Sequence, residues 1–182
     1  MTIALFAGLL LFGCSKSPEQ LKSEFFTAVK QDNYLKVSSL IKEGVNVNQP
    51  ETQGGWSALH FAAQLGSEEM VKALLAAGAN PNYIGTAPGQ EGTVIGLKPL
   101  PLAQACVGLA ESIQSNPSLT ITFPNPLVAE RLKDPKALDR YKRVCSILDQ
   151  VTSDNDTTTS PKTGSAVTVT GVSSNSMLIH MR

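Results

Sequence analysis

Two short apolar segments between residues 54 and 82, each followed by a glycine, place the tightest limit on what this chain can fold into. Their apolar residues recur at helical spacing, which predicts two short helices joined by a tight turn. These positions are Leu59, Val71, Leu74 and Leu75. The small side chains of Ala62 and Ala63 let the two helices approach closely. Ser67 suits the position just before the second helix, and Gly78 suits the left-handed residue that ends it.

The same segment resembles an ankyrin repeat. Residues 57–63, SALHFAA, stand where that family carries Thr-Pro-Leu-His-x-Ala-Ala, and residues 78–82, GANPN, match the end of its unit. The resemblance implies paired helices that stack into an open solenoid and bind proteins through the concave face, with no chemistry of their own. It also implies that the ring of His60 hydrogen-bonds a neighbouring loop. One such unit cannot bury its own apolar face, so further copies are expected.

A copy of the pattern lies 34 residues earlier in the chain. Its positions that correspond to apolar positions of the central unit are Phe25, Ala28, Val37, Leu40 and Ile41. This first repeat, at about residues 17–48, lacks a counterpart of residues 57–63, here called the opening box. A terminal repeat often departs in this way because its outer face meets solvent. Ser17, Pro18 and Gln20 form a capping-box pattern, which predicts that its first helix begins there.

A third copy is interrupted. Residues 98–103, KPLPLA, resemble the opening box and residues 141–148, YKRVCSIL, resemble the second helix, but the spacing between them is 32 residues longer than in the central unit. We expect a loop-like insertion at about residues 108–134, with one helical turn at 127–132. The long loop before the third copy, at residues 81–97, is here called the second finger. Its Val94 and Ile95 suit one side of a hairpin. The predicted fold is all-α: a short ankyrin-repeat solenoid of about three helix-turn-helix repeats, at residues 17–151, with the third split by an insertion.

The N-terminal residues resemble a bacterial lipoprotein signal peptide. Residues 3–12 are an apolar run too short to span a bilayer, and Leu11-Phe12-Gly13-Cys14 resembles the lipobox. The resemblance implies removal of residues 1–13, a lipid on Cys14, a tether at residues 14–16 and, with Ser15 next, a place at the periplasmic face of the outer membrane. The alternative is a buried N-terminal helix with an incidental cysteine, in a cytosolic protein.

The C-terminal residues 152–182 differ sharply in composition from the repeats. They include 13 serines and threonines and little charge, which predicts a mostly disordered tail. Over the whole chain Lys plus Arg and Asp plus Glu both number 15. This balance gives no net field to attract nucleic acid, so no nucleic-acid partner is expected.

Trp56 is the leading candidate for contact with a protein partner. It ends the loop between the first and central repeats, at residues 45–56, here called the first finger, and it precedes the opening box. The family resemblance makes this position variable and partner-facing. Tryptophan also offers a large contact area at low entropy cost. Similar reasoning adds Thr52, Gln53, Gln64, Leu65 and Tyr83. Phe123 in the insertion is a second candidate, because long loops are usually functional or disordered. The alternative for Trp56 is packing onto a neighbouring finger.

No catalytic or metal-binding pattern is recognisable in the sequence. Of the two histidines, His60 has the structural role that the resemblance implies, and His180 lies in the tail without a recognisable partner. We therefore predict no catalytic residue, no metal site and no cofactor. Cys106 and Cys145 lie on helices that should pack together. A disulfide between them would close a loop of about 38 residues and contribute about 3–4 kcal/mol. The alternative is two small buried core residues.

These features predict a non-catalytic protein-binding module held in the bacterial envelope by an N-terminal lipid. Small lipoproteins with ankyrin repeats resemble immunity proteins that block secreted toxins such as type VI phospholipases. The implied location, the single binding face and an insertion able to enter a cleft favour that hypothesis. One alternative is a membrane-tethered scaffold that holds a periplasmic enzyme without inhibiting it. Another is an enzyme that uses Cys106 or Cys145 as a nucleophile.

Overall fold

The structure, a computed structural model, describes residues 16–53, 55–88, 94–119 and 121–156. Within them lie seven helices and one β-hairpin: α1 (Pro18–Lys30), α2 (Tyr34–Lys42), α3 (Ala58–Leu65), α4 (Glu68–Ala76), β1 (Gly85–Pro88), β2 (Val94–Leu97), α5 (Pro99–Ser115), α6 (Pro126–Lys133) and α7 (Ala137–Asp156). The predicted signal peptide, the lipidation site Cys14 and the tail beyond residue 156 lie outside the described residues. None of the described helices is long and apolar enough to cross a membrane.

Six of the helices form three stacked pairs. The pairs are α1 with α2, α3 with α4, and α5 with α7; α3 packs between α1 and α5, while α4 packs between α2 and α7. This arrangement confirms the predicted all-α ankyrin solenoid whose third repeat is split by an insertion. The predicted hairpin is also present, with β1 and β2 antiparallel and Gly85 opposite Leu97.

Several helix ends lie where local chemistry favours them. The Ser17 hydroxyl accepts a hydrogen bond from the Gln20 N–H at 3.2 Å, and the Gln20 side chain accepts one from the Ser17 N–H at 3.0 Å, which is the predicted capping box. Gly44, Gly66 and Gly78 follow three of the helices with positive φ angles of 90°, 63° and 85°. Ser67 precedes α4 as predicted, but its side chain makes no capping hydrogen bond.

A single apolar cluster runs through all three repeats. It joins Phe25 and Val29 of α1 to Leu59 of α3 and to Val144 and Leu148 of α7, all fully buried. Full burial of one such side chain contributes about 1.5–3 kcal/mol. The alignment with the central repeat therefore predicted six buried positions correctly, whereas Ile41 and Ile147 are only partly buried against the same cluster; the six are Phe25, Ala28, Val37, Leu40, Val144 and Leu148.

The insertion differs from the expected loop. α5 ends at Ser115, as expected for a helix predicted to run to about Gln114, so the irregular part of the insertion begins at residue 116 within the predicted range of about 108–134. Its predicted single turn is the eight-residue helix α6, which begins after Asn125 and buries Val128 and Leu132. A second apolar cluster lies between the insertion and the second and third repeats: Leu65, Cys106, Leu109, Ala110, Val128, Leu132, Ala137 and Tyr141.

The predicted boundary between the repeats and the tail is too early. α7 extends to Asp156, five residues beyond the expected end at 151, so residues 152–156 are helical rather than disordered. Thr152 remains compatible with the helix because its hydroxyl donates to the Leu148 carbonyl at 3.0 Å, one turn earlier. Sequence composition changed at 152, but the backbone continued its helical hydrogen bonding for more than another turn.

Replacing Gly66 with alanine should destabilise the fold more than the same change at Gly78. Both residues have positive φ, which penalises alanine by about 1–2 kcal/mol. At Gly66 the new Cβ would also lie 2.8 Å from Cε1 of Tyr141, whereas at Gly78 it would meet open space. We expect a loss of roughly 2–4 kcal/mol for Gly66→Ala against about 1–2 for Gly78→Ala, measured by urea unfolding. Equal losses would show that Tyr141 does not press on this turn.

Candidate protein-binding surface

Six rings form a continuous row from the first repeat to the second finger, here called the aromatic row. Its members in spatial order are Phe25, Phe26, Phe61, Trp56, His60 and Tyr83. Neighbouring ring centroids lie 5.4–6.0 Å apart. Such spacing and the mostly tilted or edge-on geometry are favourable for aromatic pairs. The row fixes the orientation of each ring, so the surface above it is rigid.

His60 holds the row to the hairpin. Its Nδ1 accepts a hydrogen bond from the Ser57 N–H at 3.3 Å, which leaves Nε2 to donate to the Leu97 carbonyl at 2.8 Å. The Ser57 hydroxyl lies 2.8 Å from Nδ1 as a second partner. The predicted role of this ring, hydrogen bonding to a neighbouring loop, is confirmed. Burial lowers the pKa of His60, and the hydrogen bond to Leu97 opposes that shift only in part.

Trp56 is half-buried and packs in the way that the alternative hypothesis described. Its ring stacks on His60, and the start of β1 approaches so closely that a Cβ on Gly85 would lie 3.1 Å from Cδ1 of Trp56. The indole N–H is shielded from solvent and has no acceptor among the described residues. Trp56 therefore fastens the two fingers together, and it can offer a partner only the exposed part of its ring.

A shallow groove of about 340 Å³ lies beside the row, here called the α1 groove. One face of α1 forms one wall and the first finger forms the other. Its lining residues are Glu19, Lys22, Ser23, Phe26, Thr27, Lys30, Glu51 and Thr52. The family resemblance implies partner binding through the concave face, and the groove is the candidate for that site because α1 and the first finger line it.

Lys30 connects the groove with the aromatic row. Its ammonium lies 5.0 Å from the centroid of the Phe61 ring and forms an ion pair with Glu51 of the first finger. A cation at this distance is attracted by the ring face. Both charged side chains remain about one third exposed, so they present a fixed positive and negative pair beside apolar rings. Rigid rings with a charged edge are suited to contact with a folded protein.

The predicted contact residues divide into exposed and buried sets. Thr52 and Gln53 are exposed on the first finger and Tyr83 is half-buried on the second, as partner contact requires. Gln64 and Leu65 are buried, with 8% and 1% of their surface exposed, so the expectation that they face a partner is wrong. Their place after the alanine pair is covered by the insertion, which the first two repeats do not have.

Phe123 also has an internal role. It is half-buried and packs against the second apolar cluster, so it contributes to the attachment of the insertion. Sequence reasoning missed Phe26, Phe61, Lys30 and Glu51 as surface-forming residues. Phe61 occupies the variable position of the opening box, so the repeat alignment held a signal for it. Lys30 aligns with the buried Gln64, which gives no such signal. The contact of Glu51 with Lys30 depends on how the finger folds, which the alignment does not encode.

The two described cysteines are free thiols, so the structure does not contain the candidate disulfide. Cys106 is buried in the second cluster with its thiol 3.9 Å from the Gln64 carbonyl, while Cys145 packs against the first cluster. The alternative of small core residues describes Cys106. Burial raises the pKa of Cys106 to about 12 and also raises the pKa of Cys145. Neither thiol is poised to ionise near neutral pH.

The neutral ring of His60 should make stability depend on pH between about 7.5 and 5.5. The ordinary pKa is 6.5, and burial lowers it in the folded protein, so below pH 6.5 the unfolded chain binds a proton that the folded ring resists. Free energy of unfolding should therefore fall as the pH falls, by up to about 1.4 kcal/mol per pH unit, until the folded ring titrates. His60→Gln should remove that slope in urea unfolding curves.

The carboxylates with lowered pKa values act below this pH window. The pKa values of Glu24, Glu68 and Asp134 are lowered by ion pairs and hydrogen bonds, so the stability they provide is lost only as the pH falls below about 4.5. His180 is present in both proteins and cancels in the comparison. An unchanged slope in His60→Gln would contradict the assignment of the neutral ring.

Comparisons with known proteins agree with this geometry. The family described as "Ankyrin repeats (3 copies)" matches residues 6–84. Human mitochondrial disaggregase is 40% identical over 79 residues, which is 43% of this chain and 11% of that protein. Human 2-5A-dependent ribonuclease is 43% identical over 54 residues, or 30% of this chain and 7% of that protein.

A plant protein shows a similar but shorter match. Calmodulin-binding transcription activator 4 of Arabidopsis thaliana is 51% identical over 45 residues, which is 25% of this chain and 4% of that protein. The chain thus spans about a tenth or less of each of these relatives, and the similarity lies in the repeats. It therefore resembles ankyrin repeats over residues 6–84, and its stacked helical pairs form a short all-α solenoid of the kind that such repeats build.

Proposed function

We propose that this chain is a non-catalytic module that holds a folded protein against the α1 groove and the exposed part of the aromatic row. Ankyrin repeats form protein–protein interaction modules. The observation that most supports this role here is the Lys30–Glu51 ion pair beside Phe61. That arrangement gives a rigid apolar patch with charges of both signs at its edge. The exposed Thr52 and Gln53 extend the same surface along the finger.

Rigidity supports this assignment. A surface whose side chains are already ordered loses little entropy on binding, so more of the contact energy is retained as affinity. Phe26, Phe61 and Trp56 hold one another in place, and the Leu97 carbonyl fixes His60 beneath them. The groove is also shallow, which suits a protein surface better than a small molecule, since small-molecule sites enclose most of their ligand.

The thiol chemistry disfavours the alternative of a cysteine-dependent enzyme. A nucleophilic cysteine needs a lowered pKa and access to substrate, whereas burial raises the pKa of Cys106 to about 12 and only 2% of that residue is exposed. Cys145 is more accessible, but its pKa is raised as well, by burial and by the charge of Asp149. Both thiols have the environment of packing residues.

At a finer level, we propose that the module is an immunity protein of the bacterial envelope, tethered by a lipid on Cys14, that inhibits a secreted antibacterial effector such as a type VI phospholipase. The support is the lipobox-like Leu11-Phe12-Gly13-Cys14 and a single rigid face able to cover an active-site entrance. Residues 14–16 form a tether of only a few residues before α1 begins at Pro18, which would keep the concave face near the membrane.

Partner capture separates inhibition from scaffolding. The full chain is used to capture proteins from envelope extract, and each stoichiometric partner is assayed alone and in complex. A hydrolase whose activity disappears in the complex is expected. A resident envelope enzyme that remains fully active would contradict the inhibitor role and favour a scaffold. The tether is tested independently by mass spectrometry of the mature N-terminus, which shows whether the precursor is processed at Cys14.

Gln53→Arg should weaken the captured partner's binding at least tenfold, which corresponds to about 1.4 kcal/mol. Gln53 is exposed on the finger, so a larger charged side chain there should obstruct the proposed surface without disturbing the core. Gln150→Arg is the matched control, since it makes the same change at an exposed site on α7. Isothermal titration gives both affinities. Equal binding by the two variants, or loss only in Gln150→Arg, would place the contact elsewhere.

A further inference from the structure

We propose that α6 is a strap that ties the third repeat to the first across the second, so that the three repeats open as one unit rather than from the N-terminal end. In an open solenoid each repeat contacts only its immediate neighbours, and a terminal repeat can detach alone. The insertion supplies a contact that skips a neighbour. This inference concerns the fold itself and does not depend on the proposed partner.

Chain connectivity places α6 beneath the stack. In the first two repeats a tight turn joins the paired helices, at residues 31–33 and 66–67, whereas in the third the whole insertion occupies that position. The chain leaves α5, runs back past the turn of the second repeat and reaches the turn of the first. The fingers join successive pairs at the other helix ends, so α6 lies away from them.

The second repeat is held from below by apolar packing and one hydrogen bond. α6 inserts Val128 and Leu132 into the second cluster beside Leu65, at the end of α3. The Tyr141 hydroxyl, buried in the same cluster, donates to the Gln64 carbonyl at 2.8 Å. This hydrogen bond satisfies one of the carbonyls that a helix end leaves without an internal partner.

Two polar contacts then reach the first repeat. The Asn125 side-chain amide donates to the Lys30 carbonyl at 2.9 Å, at the last residue of α1. The Arg131 guanidinium forms an ion pair with Asp32, whose side chain is only 10% exposed and whose φ angle is 52°. Asn125 and Arg131 are 95 and 99 residues away from their partners in sequence, so both contacts close a long loop of the chain.

The same contacts fix the end of α1 that shapes the α1 groove. Lys30 uses its carbonyl to accept from Asn125 and its ammonium to pair with Glu51 beside Phe61. Detachment of the strap would free the carbonyl end of α1 and with it the position of this side chain. The strap therefore holds the first repeat in the alignment that the groove requires.

Native-state hydrogen exchange tests the strap in the full chain. The variant Asn125→Asp/Arg131→Gln removes both contacts to the first repeat, and aspartate keeps the ability to accept from the Leu127 N–H that Asn125 now caps at 3.1 Å. We expect protection of α1 and α2 amides to match that of α3 and α5 in the natural protein. In the variant it should fall at least tenfold below α3 and α5.

Lys133→Gln is the matched control, because it removes a charge from an exposed position of the same helix. It should leave the protection of α1 and α2 unchanged relative to α3 and α5. Two results would overturn the proposal: a first repeat that already exchanges faster in the natural protein, or an equal loss of protection in all repeats of the strap variant. Asn125→Asp alone serves if the double variant does not fold, with the same expected direction.

Fluorescence of Trp56, the single tryptophan of the chain, reports on the groove. Trp56 contacts Phe61, over which Lys30 lies, so a displaced α1 should shift its emission maximum. The shift is expected in the strap variant and not in Lys133→Gln. Identical emission from both would contradict the coupling of the strap to the α1 groove.

Discussion

Each helical pair in this protein has an apolar face that only a neighbouring pair can cover, and the rest of the structure depends on that constraint. Phe25, Leu59 and Val144 belong to different repeats but share one buried cluster. Fingers, hairpin and groove are arranged around this stack. Among the described residues, α3 is covered on both sides while α1 has a neighbouring helical pair on one side, so the first repeat depends most on contacts from elsewhere.

The insertion supplies such contacts by forming a second apolar cluster. Tyr141, Leu132 and Leu65 bring α7, α6 and the end of α3 together beneath the stack, and Gly66 leaves room for the Tyr141 ring. Residues that an ordinary repeat would expose at the end of its first helix are therefore buried here. The proposed binding surface instead uses Lys30, Glu51 and the rings of Phe61 and Trp56, which are held in fixed positions but are still partly exposed.

Sequence reasoning predicted what the repeat pattern encodes and missed what the insertion decides. Local rules suffice for the start of α1, for the helix ends marked by Gly44, Gly66 and Gly78 and for the bond of His60, because capping, glycine placement and the box act over a few residues. Gln64 and Leu65 were assigned to the surface because the pattern exposes them in a regular stack. In the structure Leu65 packs with α6 in the second cluster, and Cys106 and Tyr141 contact the carbonyl of the buried Gln64. No local rule specifies these contacts. The groove likewise needs the folded finger to bring Glu51 to Lys30.

The central claim, protein binding through the concave face, is tested most directly by amide hydrogen exchange with and without a captured partner. The account predicts added protection at residues 49–56 of the first finger and along α1, which together line the α1 groove. The outer helices α2, α4 and α7 should exchange as in the free protein. Protection confined to those outer helices, with the finger unchanged, would contradict it.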